Sequence, residues 1–381
     1  MTEWKEYKLG EIGTFISEKV SVKDISVENY ISTENMVSDK GGITVATNKP
    51  LDGTITKYYP NNILVSNIRP YFKKIWFSNR DGGCSNDVLC FEANTKYINP
   101  KYLYFLLSQD LFFDYVMLGS KGCKMPRGDK SHIMNWDISL PPLPEQIRIA
   151  SILSSLDDKI DLLHRENKTL EAMAETLFRQ WFIEEAKEDW EEGTIADFAE
   201  HYKASVNPRN NLIEMYYHYS IPAFDTGKEP ILEQGENIQS NKYLVPKNCI
   251  LFSKLNPHKD KRVWIMLDDI PDNAICSTEF QIVKPTNLEY LYFLYGWLTN
   301  KENYDEIASG VGGTSGSHQR IDPKTIFSYS CPQVDMKTIR NYNKCVEPLF
   351  YKQRNNQQQI QTLIQQRDSL LPKLMSGEVK I

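Results

Sequence analysis

The sequence predicts an α+β protein in which two tandem mixed α/β domains are joined by two long antiparallel coiled-coil helices, with a pseudo-two-fold relation between the halves. Three observations support this prediction. The same order of short motifs occurs twice along the 381 residues, two long tracts have a heptad period, and short β-rich runs are separated by turn residues.

The internal repetition is the clearest of these observations. The matched segments begin at Trp4 and Trp190, at Pro60 and Pro246, and at Tyr102 and Tyr290. A period of this size is too long for a solenoid and is long enough for each copy to bury its own core. We therefore expect a first domain at 1–143, a central helix at 144–188, a second domain at 189–334 and a C-terminal helix at 335–381.

The central tract has an unbroken apolar seam with alternating spacings of four and three residues, which is typical of a coiled coil. Its members are Ile149, Leu153, Leu156, Ile160, Leu163, Asn167, Leu170, Ala174, Leu177 and Trp181. Pro144 and Glu145 suit the start of a helix. Asn167 is the one polar member, at a position where an amide reduces stability but fixes the register.

The C-terminal tract has a weaker seam, which Gln353, Asn356 and Arg367 interrupt. Pro348 is expected to kink or restart this helix, and Gly377 lies where a C-terminal cap belongs. Neither tract can bury its apolar stripe alone, so we expect the two to pack on each other. The alternative is that each helix docks on its own domain.

Within the domains, the β-rich runs fall at equivalent places in the two copies. One helix is expected in each copy, at Pro100–Leu118 and at Leu288–Ala308. The expected strands are Ile63–Ser66, Ile75–Ser78, Val88–Glu92 and Ile138–Leu140 in the first copy, and Ile250–Ser253, Val263–Leu267, Phe280–Val283 and Ile326–Tyr329 in the second.

Composition indicates a cytoplasmic globular chain. The hydrophobic fraction of 41% and the charged fraction of 25% are ordinary, and no apolar run is long enough to span a membrane. No signal peptide is expected from the start M-T-E-W-K. Seven scattered cysteines form no CxxC pair and suit a reducing compartment. The net charge of -6 argues against indiscriminate binding of polyanions, so any contact with nucleic acid should use local patches.

The motifs of common catalytic sites are absent from the sequence. It contains no GxxxxGK[ST], HExxH or GxSxG motif and no Cys/His cluster with metal-ligand spacing. Asp272 followed by Glu279 and Gln281 suggests part of a nuclease motif, but the expected lysine is missing. We therefore predict no catalytic residue, no metal site and no enzyme activity of this chain alone.

Two polar or basic segments occur at equivalent places in each copy. One follows the repeated proline motif, and the other is a glycine-containing loop whose backbone and side chains could contact phosphates and base edges. A solvated loop is the alternative for any single lysine. The candidate DNA-binding residues are Arg69, Lys73, Lys74, Lys121, Lys124, Arg127 and Lys130 in the first copy, and Lys254, His258, Lys259, Arg262, Ser317, Gln319 and Arg320 in the second.

The whole chain resembles the specificity subunits of type I restriction–modification systems. The resemblance rests on L-P-P-L-P-E-Q-I-R-I from Leu140, L-F-R-Q-W-F from Leu177 and R-D-S-L-L-P-K-L-M-S-G-E-V from Arg367. The second copy departs from this pattern, with C-P-Q-V-D-M-K-T-I from Cys331 in place of P-P-L-P-E-Q. This departure weakens the expectation of identical partner contacts at the two ends.

The resemblance implies that the two domains are target recognition domains, each recognising half of an asymmetric, bipartite site in double-stranded DNA. It also implies that the helices set the spacer and dock two methyltransferase subunits, to which restriction subunits add. S-adenosylmethionine, ATP and Mg²⁺ are then expected on those partners, with no cofactor in this chain. The expected partner-binding residues are Leu177, Phe178, Trp181, Phe182, Leu370, Leu371 and Leu374.

Two other functions are compatible with the pattern. One is a two-domain protein scaffold that binds no DNA, and the other is a stand-alone nuclease. Methylation profiling with and without the gene separates the first from a specificity subunit. Metal-dependent cleavage by the purified chain would indicate the second.

Overall fold

The computed structural model describes residues 4–122, 124–310 and 319–379. The chain forms two compact units, Met1–His164 with Gln358–Ile381, and Arg165–Gln357. Each unit thus contains one globular part and segments of two long helices. Among the described residues, no helix is long and apolar enough to cross a membrane.

The first unit contains two four-stranded sheets and one two-stranded ribbon. Their orders are β2-β9-β6-β7, β3-β5-β8-β4 and β1-β10. The strands are β1 (Lys5–Lys8), β2 (Gly13–Phe15), β3 (Lys19–Ser21), β4 (Tyr30–Ile31), β5 (Thr54–Tyr58), β6 (Ile63–Ser66), β7 (Ile75–Phe77), β8 (Gly82–Cys84), β9 (Val88–Ala93) and β10 (Asp137–Leu140). The helices are α1 (Leu9–Ile12), α2 (Pro100–Leu107), α3 (Asp110–Leu118), α4 (Lys130–Met134) and the start of α5 (Leu143–Arg179).

The second unit repeats this topology with the same order of strands. Its sheets are β12-β20-β17-β18 and β13-β16-β19-β14-β15, and its ribbon is β11-β21. The strands are β11 (Glu192–Thr194), β12 (Ala199–Tyr202), β13 (Ser205–Val206), β14 (Met215–Tyr219), β15 (Ile231–Gln234), β16 (Lys242–Leu244), β17 (Cys249–Ser253), β18 (Val263–Met266), β19 (Ala274–Cys276), β20 (Phe280–Pro285) and β21 (Ser330–Pro332). The helices are α6 (Ile221–Gly227), α7 (Leu291–Thr299), α8 (Lys301–Ser309), α9 (Pro323–Phe327) and α10 (Met336–Met375).

The repetition extends to strand direction. Most neighbouring strands are antiparallel, but β4 runs parallel to β8 in the first unit, and β14 runs parallel to β19 in the second. The second unit differs by the added edge strand β15 and by helix α6, which follows β14. The prediction of two tandem mixed α/β domains is therefore confirmed.

The two long helices pack against each other within each unit, and in both units they are antiparallel. In the first unit, Arg367 Nη1 lies 3.0 Å from Asp157 Oδ1, and Ile160 and Leu163 share a buried cluster with Ile360. In the second unit, the Tyr342 ring lies 6.3 Å from the Phe178 ring. In these contacts, higher residue numbers in α5 go with lower residue numbers in α10, so the two helices are antiparallel.

The polar interruptions of the two seams meet one another in the second unit. Asn356 is fully buried and donates from Nδ2 to Asn167 Oδ1 (2.9 Å) and to Glu166 Oε2 (3.0 Å). Gln353 Nε2 donates to the Asn167 backbone carbonyl (3.1 Å). Sliding one helix past the other would break these contacts, so this group fixes the register.

Three secondary-structure predictions need correction. The predicted helix at Pro100–Leu118 is two helices, α2 and α3, because the backbone of Gln109 between them is extended, with φ of -72° and ψ of 148°. The predicted helix at Leu288–Ala308 contains α7 and α8, separated by Asn300, whose side chain caps α8. The predicted strand at Ile326–Tyr329 is wrong, because Asp322 and Pro323 start helix α9 there.

The expected restart at Pro348 does not occur either, because α10 is continuous through it. Val346 and Phe350 are buried on either side of the proline. Their packing compensates for the backbone hydrogen bond that proline cannot donate. Gly377, in contrast, follows α10 with a positive φ of 74°, as the cap prediction requires.

Candidate nucleic-acid interface

In the first unit, the backbone joins the two basic segments that the sequence places about 50 residues apart. Strand β6 ends at Ser66, and the next residues lie along the loop before α4. Ile68 forms an isolated antiparallel bridge with Arg127, and the Arg69 N–H donates to the Pro126 carbonyl (2.8 Å). Residues 67–74 and 121–130, without 123, therefore form one continuous surface, which we call the first basic surface.

The second unit has the same arrangement. Leu255 forms an isolated antiparallel bridge with Arg320, and the Asn256 N–H donates to the Gln319 carbonyl (2.9 Å). Arg69 and Asn256 occupy equivalent positions and share a left-handed backbone, with φ of 49° and 47°. Residues 254–262 and 319–321 form the second basic surface. Of the candidates, Ser317 lies outside the described residues.

Three candidates on the first basic surface have cationic groups that no described carboxylate neutralises. Arg69 and Lys124 are exposed and make no side-chain hydrogen bond or ion pair with any described residue. Lys130 is also exposed, and its Nζ lies 5.6 Å from the centre of the Phe15 ring. These three cations are available to a polyanion.

The other four candidates of the first surface already have partners. Lys73 Nζ lies 3.0 Å from Asp110, Lys121 Nζ lies 2.7 Å from Asp129, and Arg127 Nη2 lies 2.9 Å from Asp87. Lys74 Nζ donates to the Thr33 carbonyl (2.7 Å), and burial lowers its pKa. Lys121 is nevertheless 82% exposed, so its ammonium group can exchange the Asp129 carboxylate for a phosphate.

On the second surface, three candidates are accessible. His258 and Lys259 are exposed, and Lys254 is partly exposed. Burial lowers the pKa of His201, and the positive charges of Lys203 and Lys254 lower it further. Gln319 is partly exposed, and its backbone is the part that joins the two segments.

The Arg262 side chain is largely buried and paired with two carboxylates, which leaves it poorly placed to contact DNA. Its Nε and Nη2 donate to both oxygens of Asp225 (2.7 and 2.8 Å), and Nη2 also donates to Asp260 (2.7 Å). The side chain is only 11% exposed. The hydrogen bond to Asp225 raises the pKa of Arg262 most, and the negative charges of Asp225 and Asp260 raise it further. Arg262 therefore ties α6 to the loop that carries Lys259 instead of facing solvent.

The expected partner-binding residues also need correction, because most of them form the core. Phe178, Phe182, Leu371 and Leu374 are buried, so their side chains cannot reach a partner. Leu177, Trp181 and Leu370 are partly buried against the same clusters. Side chains of the motifs L-F-R-Q-W-F and S-L-L-P-K-L thus pack the long helices against the cores of their own units.

Sequence reasoning missed two residues that pair with these surfaces, Asp87 and Glu279. Asp87 pairs with Arg127, and Glu279 accepts two hydrogen bonds from Arg320 (3.0 and 2.8 Å). A signal for both was present in the repeat. C-S-N-D from Cys84 and C-S-T-E from Cys276 stand at equivalent positions, and each precedes a central strand.

The described residues contain no group of three or more His, Cys, Asp or Glu side chains arranged to hold a metal ion. What the two units have in common is a surface of cationic and polar side chains at one end of a four-stranded sheet. The chain is therefore of a class of protein that has two units, each with its own candidate binding surface.

Comparison with known proteins shows which family the chain resembles. Residues 1–172 match the family described as the type I restriction modification DNA specificity domain. The MjaIX specificity subunit of Methanocaldococcus jannaschii is 28% identical over 313 residues, which cover 74% of this chain and 69% of that relative. The HindI specificity subunit of Haemophilus influenzae is 28% identical over 191 residues, or 48% and 42% of the two chains.

A solved structure has the same fold. The S subunit of a type I restriction–modification system from M. genitalium superposes with a TM-score of 0.62, at 16% identity, over 98% of this chain and 96% of that one. The predicted resemblance to type I specificity subunits is thus confirmed, by the family match over residues 1–172 and by the MjaIX relative over 74% of the chain. The MjaIX and HindI relatives are named as specificity subunits of type I restriction enzymes.

Proposed function

We propose that this chain gives a type I restriction–modification complex its DNA sequence specificity. Each unit recognises one half of an asymmetric, bipartite site in double-stranded DNA through its basic surface. The observation that carries this proposal is the joining of two basic segments into one surface in each unit, by equivalent backbone contacts at Arg69 and Asn256. Phosphate contacts position such a surface, and contacts to base edges determine which sequence it prefers.

The two surfaces differ in their side chains, which favours an asymmetric site. The first presents Arg69, Lys124 and Lys130, whereas the second presents His258, Lys259 and Arg320. Different donors select different base edges in the major groove. A common backbone with unlike side chains therefore suits two unlike half-sites.

The antiparallel helices have two roles in this proposal. They set the spacer between the half-sites, and they dock two methyltransferase subunits, with which restriction subunits assemble in the cytoplasm. Since the apolar seam is buried, docking must use the outer faces of α5 and α10. Leu162 and Met173 of α5 are exposed apolar residues on such faces. S-adenosylmethionine, ATP and Mg²⁺ belong to the partner subunits.

Reconstitution tests the proposal. The chain is purified alone and together with the methyltransferase subunit encoded beside it, and methyl transfer from labelled S-adenosylmethionine to genomic DNA is measured. We expect transfer by the methyltransferase only when this chain is present, and none by the chain alone. Methyl transfer that does not depend on this chain would favour a scaffold, and Mg²⁺-dependent cleavage by the chain alone would indicate a nuclease.

A further inference from the structure

Each basic surface contains an arginine, Arg127 or Arg320, held by a carboxylate that directly precedes a central strand, and these two pairs occupy equivalent places. In the first unit, Arg127 Nη2 lies 2.9 Å from Asp87 Oδ1. In the second unit, Arg320 donates from Nε to Glu279 Oε2 (3.0 Å) and from Nη2 to Oε1 (2.8 Å). Both arginines were candidates for DNA contact, whereas neither carboxylate was.

The equivalence of the pairs follows from the backbone around them. The Asp87 carbonyl accepts from the Asn67 N–H (2.8 Å), and the Glu279 carbonyl accepts from the Lys254 N–H (3.0 Å). Asn67 and Lys254 each directly follow the last residue of a central strand, β6 or β17. The next residue along the chain in each unit bridges to the arginine. The same pair is thus built twice on the same framework, although the surrounding sequences differ.

In the second pair, Glu279 bonds to the Nε/Nη2 edge of the guanidinium, and no described residue bonds to the outer edge. A guanidinium carries five N–H donors, and Glu279 accepts from only two of them. Among the described residues, no acceptor bonds to either hydrogen on Nη1 or to the second hydrogen on Nη2 of Arg320. Those donors form the edge that matches the O6 and N7 acceptors of guanine in the major groove.

In both pairs, the arginine side chain is more exposed than the carboxylate side chain. Arg320 is 47% exposed and Glu279 is 24% exposed, whereas Arg127 and Asp87 are 56% and 37% exposed. The carboxylate therefore lies behind its arginine in each unit. This order places the cation towards a ligand and the anion towards the protein.

Stability alone does not explain these carboxylates. Ion pairs at a protein surface contribute little to folding, and an acidic group on a surface that binds phosphates opposes that binding. A carboxylate that holds a flexible arginine in one orientation has a different benefit, because bidentate contacts to a base require a fixed guanidinium plane.

We propose that Asp87 and Glu279 are positioning residues that orient Arg127 and Arg320 for base recognition, with guanine as the base whose acceptors match the free edge. This inference rests on the proposed function, since it assumes that the two surfaces contact DNA. It adds that specificity depends on two acidic residues that make no contact with the DNA themselves.

The experiment uses the complete chain, expressed with its methyltransferase partner in a host that lacks the system, and long-read sequencing of methylated bases. Arg320→Ala should make one position of one half-site degenerate, with a loss of roughly tenfold or more in discrimination between bases. Glu279→Ala should make the same position degenerate, and the double variant should be no worse than Arg320→Ala. Asp87→Ala and Arg127→Ala should do the same in the other half-site.

Two further variants separate orientation from folding. Glu279→Gln keeps the shape and one acceptor, so it should give an intermediate loss at the same position. Glu289→Ala removes another Arg–Glu pair of the second unit, the one with Arg340 (2.9 and 3.0 Å), and should leave the motif unchanged. Thermal melting of each purified variant shows that the chain is folded.

The outcomes distinguish a failure of this inference from a failure of the proposed function. The inference is overturned if Glu279→Ala and Glu279→Gln keep the wild-type motif, or if they reduce methylation equally at all sequences. Additive losses in the double variant would also contradict it, because a positioning residue acts only through its arginine. If the wild-type chain produces no motif at all, the proposed function itself fails, and the inference fails with it.

Discussion

At the scale of single residues, the availability of each cation distinguishes the candidates better than their number does. Arg69 and Lys124 are exposed without a described partner, whereas Arg262 is surrounded by Asp225 and Asp260. The sequence alone does not distinguish an available cation from one that is paired within the protein. A free cation can release counterions from DNA, and an internally paired one holds the surface in shape.

We predict that Lys124→Ala weakens binding by the assembled complex about equally on all DNA sequences. The loss of one phosphate contact should lower the slope of log K against log salt by about one. Fluorescence anisotropy with specific and unrelated duplexes at several salt concentrations measures both quantities. A loss confined to the specific duplex would show that Lys124 contacts a base instead.

Arg262→Ala should mainly reduce stability. The substitution leaves two carboxylates without their guanidinium, at a cost of about 1–3 kcal/mol for a largely buried charged hydrogen-bonding group. Urea unfolding of the purified chain measures the change. Arg340→Ala, which removes a more exposed pair, is the matched control and should cost less than about 1 kcal/mol. Unchanged stability together with a changed motif would restore Arg262 as a DNA contact.

At the scale of secondary-structure elements, the register of the two long helices depends on one polar group. Asn356 is fully buried, and its amide donates to both Asn167 and Glu166. Asn356→Ala leaves these acceptors without a donor, so the free energy of unfolding should fall by about 1–3 kcal/mol. Urea unfolding tests this, and Asn355→Ala, on the exposed side of α10, is the control. Equal effects of the two substitutions would contradict the role of Asn356.

The helices offer a second test, of the proposal that they set the spacer. Deleting 158–164 together with 359–365 removes one heptad from each helix and keeps the contacts of Asp157 with Arg367 and of Asn167 with Asn356. Seven residues account for about 10 Å of helix, so the spacer should shorten by roughly three base pairs. Methylome sequencing shows the spacer directly. An unaltered spacer would contradict this role.

These elements also show what the sequence could predict. Heptad spacing identifies both long helices, and short β-rich apolar runs identify the strands around Ile63 and Ile250, because both patterns are local. The pairs Arg262–Asp225 and Arg320–Glu279 join residues 37 and 41 positions apart. Such contacts depend on the folded framework, so the sequence alone made both arginines look free. Local caps at Ser108 and Asn300 were visible in principle but were outweighed by the apolar runs around them.

At the scale of the whole molecule, duplication with divergence is the property that matters. Both units keep the order of strands in their sheets, the parallel pair and the joining of the two basic segments. They differ in the side chains that those segments present and in the added α6 and β15 of the second unit. A shared framework with unlike surfaces is what recognition of two unlike half-sites requires.

Single-molecule methylome sequencing of the native host, with and without this gene, tests that claim most directly. The account predicts a gene-dependent methylation motif with two unlike half-sites separated by a spacer of constant length. A motif that persists without the gene, or a gene-dependent motif that is continuous or has two identical halves, would contradict it.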